Sequence, residues 1–198
     1  MDHRTLTFVG EELAKSAAML QALMDDKRLQ ADVERIAELC VTSLRQGGKV
    51  LFAGNGGSAA DAQHLAAELV GRLVFDRPGL ASVALTTDTS VLTAIGNDYG
   101  YEEVFARQVD ALGARGDVLV GISTSGRSKN VLKAFAAARA KGMATVGMTG
   151  RGGGDFPALC DVCLCMPSAE TQKIQEGHIV LGHIFCGLIE ARMFPRGG

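Results

Sequence analysis

The chain lacks several things, and each absence removes a class of function. Charge of one sign is missing: 198 residues carry a formal net charge of −2, so there is no basic face for nucleic acid or for an anionic membrane. No apolar run approaches the ~20 residues needed to cross a bilayer. The opening stretch, MDHRTLTFVGEELAKS, has no apolar centre of the kind an export signal needs, and the expected location is the cytoplasm. Five cysteines, an odd number in a chain without an export signal, speak for reduced thiols rather than a disulfide framework. There is no internal repeat, low-complexity tract or long linker.

What remains is 47% hydrophobic and 21% charged, the balance of a single globular α/β domain with a proper core. Two helices are expected first. Leu6, Val9, Leu13, Leu20 and Leu23 recur at helical spacing, and after DDKR so do Val33, Ile36, Cys40 and Leu44. Such stripes serve a core or a subunit interface, and spacing alone leaves both open. From residue 49 the pattern alternates. Strands are expected at 49–53, 81–86, 117–123, 144–150 and 161–166. Helices are expected at 58–73, around 91–95 and 101–112, at 128–140 and at 171–193. Apolar runs of this length between helices imply a five-stranded parallel sheet covered on both faces, with ligands at the carboxyl ends of the strands.

Two strand-to-helix loops are built for an anion. GNGGS (54–58) and STSGRS (123–128) combine free backbone N–H groups, hydroxyls and the positive end of a following helix. A cap and a tight turn would explain one or two hydroxyls in the second loop, but it holds four: Ser123, Thr124, Ser125 and Ser128. Neither loop is followed by the Gly-Lys-Ser/Thr of a nucleoside-triphosphate loop. Gly54-x-Gly56-x-x-Ala59 has the outline of a dinucleotide fingerprint. The acidic residue at the end of the second strand is absent, since Asp76 falls in the preceding turn. Cys160, Cys163 and Cys165 offer one C-x-x-C and no second pair, so small buried hydrophobes are the expected role.

On the helix after the first loop, Asp61, His64 and Glu68 share one face. A solvated charged face would explain them, and so would a metal site or a proton-transfer pair. Asp61 would either orient His64 or only place a charge in the first turn. The terminal helix carries a second polar set, Gln175, Glu176, His178 and His183. Gln175 and His183 are eight residues apart, about 12 Å of rise, so one straight helix brings both to one ion only with help from the helix start, and a site built from two chains would relieve this.

Taken together, GNGGSAADAQHLAAELVGR (54–72), GNDYG (96–100), GDVLVGISTSGRSKNV (116–131) and KIQEGHIVLGH (173–183) resemble the phosphoheptose isomerases, enzymes of the sugar isomerase (SIS) fold. The resemblance covers nearly the whole chain. It implies an α/β three-layer sandwich in which 1–198 form one SIS domain and the helical pair in 1–47 lies at an oligomer interface. It implies conversion of D-sedoheptulose 7-phosphate to D-glycero-D-manno-heptose 7-phosphate through an enediol, on the way to bacterial surface polysaccharide. Asn55, Gly56, Gly57 and Ser58, with Ser123, Thr124, Ser125 and Ser128, would hold the phosphate, and Asn97 and Asp98 the sugar. Glu68 and His183 would be base and acid. His64, Glu68, Gln175 and His183 would ligate one zinc ion, Glu68 and Gln175 also touching the substrate. A homotetramer with active sites between subunits is implied as well. Gln172 stands where several members carry an acidic residue and is left out of the site, and Arg72 is either a ligand contact or a surface arginine. The rival reading, of a different class, is a non-catalytic SIS-fold module of the replication-initiator-associating type, which binds protein. That group lacks the counterparts of Glu68 and His183, and this chain has both.

Overall fold

The computed structural model describes residues 3–195. Five strands form one parallel sheet: β1 (Val50–Gly54), β2 (Ser82–Ala84), β3 (Val118–Ile122), β4 (Ala144–Thr149) and β5 (Val162–Cys165), in the order β2-β1-β3-β4-β5. β1, β3 and β4 are apolar almost throughout because both of their faces are covered. The register places Phe52 beside Ala84 and Val120, and Val120 beside Val146. Side chains alternate across the sheet. Phe52, Val120, Ile122, Val146 and Leu164 point into one apolar layer. Leu51, Ala53 and Leu119 point into the other.

The first layer holds α1 (His3–Asp25), α2 (Lys27–Arg45), α3 (Gly57–Val70) and α7 (Thr171–Met193). The second holds α5 (Ala106–Leu112) and α6 (Lys129–Ala140). The three-layer sandwich inferred from the alternation is thus the observed architecture. The two N-terminal helices part at Asp26, whose carboxylate accepts from Leu29 N–H at 2.9 Å and caps α2. The apolar stripes of the two helices have different fates. In α2, Val33, Ile36 and Cys40 are buried in the core. In α1 only Met19 and Leu23 are, while Phe8, Val9 and Leu13 stand in solvent at 63%, 49% and 66% exposure. The side chain of Leu6 lies outside the described residues. The helix expected over 58–73 stops at Val70. The segments expected around 91–95 and 101–112 become α4 (Thr89–Asp98), a single 3-10 turn and α5.

The seam between α3 and α7 positions the chemistry. The two helices lie side by side and run the same way: Gly57 abuts Gln175, Leu65 abuts Gly182 and Leu73 abuts Gly187. Gly182 permits the close approach, since a Cβ there would stand 2.6 Å from Leu65 Cδ2.

Candidate active site

In the order 2-1-3-4-5 the chain reverses direction of winding between β1 and β3, and the crevice for a ligand opens there at the carboxyl ends. The two polar loops read from the sequence are the ones that border it. They are tied together: Asn55 Nδ2 donates to Asn130 Oδ1 at 2.9 Å, and Asn130 Nδ2 donates back to Asn55 Oδ1 at 2.8 Å. Tyr101 Oη adds a bond to Asn55 Oδ1 at 3.1 Å. Asn55 therefore braces the two loops as well as lying in one of them, a partnership across 75 residues that spacing could not reveal.

In the second loop the hydroxyls converge. Ser123 Oγ lies 2.8 Å from Ser128 Oγ and 3.4 Å from Ser125 Oγ. Ser128 occupies the N-cap of α6, yet its side chain makes no cap hydrogen bond and turns to Ser123 instead. The N-cap of α3 is Gly56, which has no side chain to cap with. Neither N-cap residue thus caps its helix with a side chain, although Asn130 Oδ1 accepts from Val131 N–H at 3.0 Å in α6, and the two helix N-termini that meet the crevice suit an anion. Thr124 and Ser125 line a cavity of about 310 Å³ with Arg127, Arg151 and Gly150. Ser58 is buried in the first turn of α3. Asn97 and Asp98 close α4, hydrogen-bonded to each other at 2.8 Å, and Asp98 faces a different, apolar cavity with Val83, Tyr99 and Arg107.

His64, on α3, and His183, on α7, meet across the seam with their Nε2 atoms 2.8 Å apart. Glu68 Oε1 lies 3.2 Å from the same His64 nitrogen. Among the described residues, this is one group of three metal-type side chains whose donor atoms all lie within 4.8 Å, and Cys160, Cys163 and Cys165 do not form another. The three are half-buried, Cys163 and Cys165 on the edge strand with their Sγ atoms 4.0 Å apart and Cys160 in the loop before it. Two imidazoles and a carboxylate are a donor set that suits zinc and leaves a fourth position open. Tetrahedral zinc would hold two such nitrogens about 3.4 Å apart, so the pair would open by roughly half an ångström. The group is reachable, His64 being 48% exposed and Glu68 18%.

Gln175 lies farther toward the start of the seam. Its amide lies against Gly57, where a Cβ would overlap it. Gly57 and His64 are seven residues apart on α3, about 10 Å of rise. His178 is not in the site: it is fully buried, with Nε2 3.2 Å from the Thr149 carbonyl. Asp61 makes no hydrogen bond to His64. Burial raises its carboxyl above the usual range, the nearby His64 pulling the other way. Gln172 bonds Glu170 on the surface, and Arg72 is exposed just past α3.

The SIS domain family matches residues 13–150. A phosphoheptose isomerase of Burkholderia pseudomallei is 60% identical over 99% of this chain and 100% of its own length. The chain belongs to the phosphoheptose isomerase family. A relative of that name from Sulfurimonas denitrificans is 52% identical over 96% of the chain and 97% of its own length. The structure of phosphoheptose isomerase from Neisseria gonorrhoeae superposes with a TM-score of 0.88 at 48% identity, covering 94% of this chain and 99% of that one. That from Francisella tularensis gives 0.90 at 35%, covering 94% and 98%. No helix of the described residues is long and apolar enough to cross a membrane.

Proposed function

We propose that this protein is an aldose–ketose isomerase that converts D-sedoheptulose 7-phosphate to D-glycero-D-manno-heptose 7-phosphate. The reaction would be the first step toward the ADP- or GDP-linked heptose of bacterial surface polysaccharide, carried out in the cytoplasm. The observation that carries the reading is the meeting of His64, Glu68 and His183 on the α3–α7 seam, in a chain 60% identical to a phosphoheptose isomerase. The protein-binding alternative is not favoured, because its group lacks the two side chains that complete this cluster.

The phosphate sits at the serine loop, held by Ser123, Thr124, Ser125 and Ser128 with the N–H groups of 55–58. Glu68 takes a proton from C1 of the open-chain ketose while His183 protonates the oxygen on C2, giving the enediol. His183 then removes the proton from the oxygen on C1, and Glu68 returns its proton to C2. Asn97 and Asp98 contact the sugar in this reading. His64, Glu68 and His183 would hold a zinc ion, which supplies positive charge beside the oxygen that becomes negative. A carboxylate fully engaged on an ion is a poor base, so Glu68 must be held loosely. Gln175 would complete the set in a site built from two chains, which relieves its distance from His183 along α7. The exposed apolar side chains of α1, Phe8, Val9 and Leu13, support a homotetramer with shared sites.

Proton NMR of sedoheptulose 7-phosphate in heavy water tests the reading. An aldoheptose 7-phosphate should appear with the protein and be lost in Glu68→Gln, by a factor on the order of 10² to 10⁴. Loss on chelation would add the metal. A folded, zinc-supplied protein that converts nothing would overturn the assignment.

A further inference from the structure

We infer that Arg77, through a buried ion pair with Glu190, is a positioning residue that sets how Glu68 and His183 face each other, an inference that rests on the isomerase reading above. Neither residue belongs to the loops or clusters already described. Arg77 lies in the turn between α3 and β2, and Glu190 in the last part of α7.

The ending of α3 creates the need. A helix leaves its last carbonyls without partners. Gly71 N–H takes the Ala67 carbonyl at 2.8 Å. Leu80 N–H takes that of Leu69 at 3.0 Å, and one guanidinium gathers the end of the helix. Arg77 Nη2 donates to the carbonyl of Glu68 itself at 2.8 Å, and Nη1 donates to those of Leu69 at 2.6 Å and Gly71 at 3.0 Å. Arg77 Nε donates to Glu190 Oε2 at 3.0 Å. Glu190 also accepts from Leu73 N–H at 2.9 Å and Val74 N–H at 2.8 Å. The two side chains are 2% and 0% exposed, so neither charge has water to fall back on.

The geometry couples the ends of two helices. Glu190 stands seven residues, about two turns, beyond His183 on α7. Glu68 is bound by its own backbone to Arg77. The pair therefore ties the helix that bears the base to the helix that bears the acid. The Leu65–Gly182 contact fixes how near the two helices come, but an apolar contact does not resist sliding along the seam. A directional network of charge-assisted hydrogen bonds does. His64, one turn before Glu68 and 2.8 Å from His183, would feel any slide first. Lysine cannot replace the fork, because an ammonium is a single point of charge.

The experiment compares the whole protein with Arg77→Lys and Glu190→Gln. It measures kcat, KM, the thermal midpoint and histidine-ring proton–nitrogen NMR spectra. A displaced base should lower kcat by roughly 10- to 100-fold with KM nearly unchanged. The His64 and His183 ring signals should move while that of His178, anchored to Thr149, stays. The Glu190→Gln variant keeps an acceptor for Val74 N–H and serves if Arg77→Lys does not fold. If a folded variant keeps wild-type kcat and His64 and His183 signals and loses only thermal stability, the pair is a structural clamp and the inference fails. If the wild-type protein itself shows no isomerase activity, the isomerase reading fails instead, while the ring signals still decide whether the pair positions the histidines.

Discussion

His178 should make the protein lose stability between pH 6.5 and pH 4 for a reason separate from its chemistry. The ring is fully buried in α7, Nε2 donates to the Thr149 carbonyl, and Nδ1 has no partner among the described residues. A protonated ring would bury a charge and an unsatisfied N–H. Burial accordingly pushes the pKa down from 6.5 to about 4, against a smaller opposite pull from Thr149. The unfolded chain takes up its proton near pH 6.5, and the folded one does so only near pH 4. Stability from this group is thus complete above pH 6.5, falls by about 1.4 kcal/mol per unit as the pH drops through that window, and changes no further below it. The total is about 3 kcal/mol. His178→Gln retains a donor for Thr149 and removes the titration. Urea unfolding of both proteins at matched concentration, in half-unit steps from pH 7.5 to 4, should give curves that converge toward low pH. The difference between them cancels the other groups, including Asp61, whose raised pKa acts with the opposite sign. Parallel curves, or a His178 ring signal that titrates near pH 6.5, would refute the reasoning.

Other expectations follow from the site. Ser128→Ala removes one of the converging hydroxyls without removing a cap, so KM for the sugar phosphate should rise roughly 10- to 100-fold, the worth of a hydrogen bond to a charged group, with stability little changed. Gly57→Ala places a methyl group where the Gln175 amide lies. Because that amide is the end of a flexible side chain, unfolding free energy should change by less than about 1 kcal/mol while activity falls. Both readings are checked by steady-state kinetics beside a denaturation curve. His64→Ala should abolish stoichiometric zinc uptake measured by equilibrium dialysis, and retention of one ion per chain would move the metal site elsewhere.

The sequence by itself determined the elements and the anion loops. Strand and helix periodicity and the glycine- and serine-rich turns act over a few residues, so they are readable without knowing what packs on what. The helical rise sets Gln175 and His183 about 12 Å apart along one chain. His64, Glu68 and His183 were joined through resemblance to a family, since spacing cannot pair residues 119 positions apart. Asn55 with Asn130 and Arg77 with Glu190, 75 and 113 positions apart, carried no signal at all. The outward turn of α1's apolar stripe, and the half-buried cysteines expected in the core, were likewise decided by packing. Each of these joins or exposes elements far apart in the chain, and is decided only once the strands order as 2-1-3-4-5. That order is set by packing across the whole sheet, and local sequence holds no record of it.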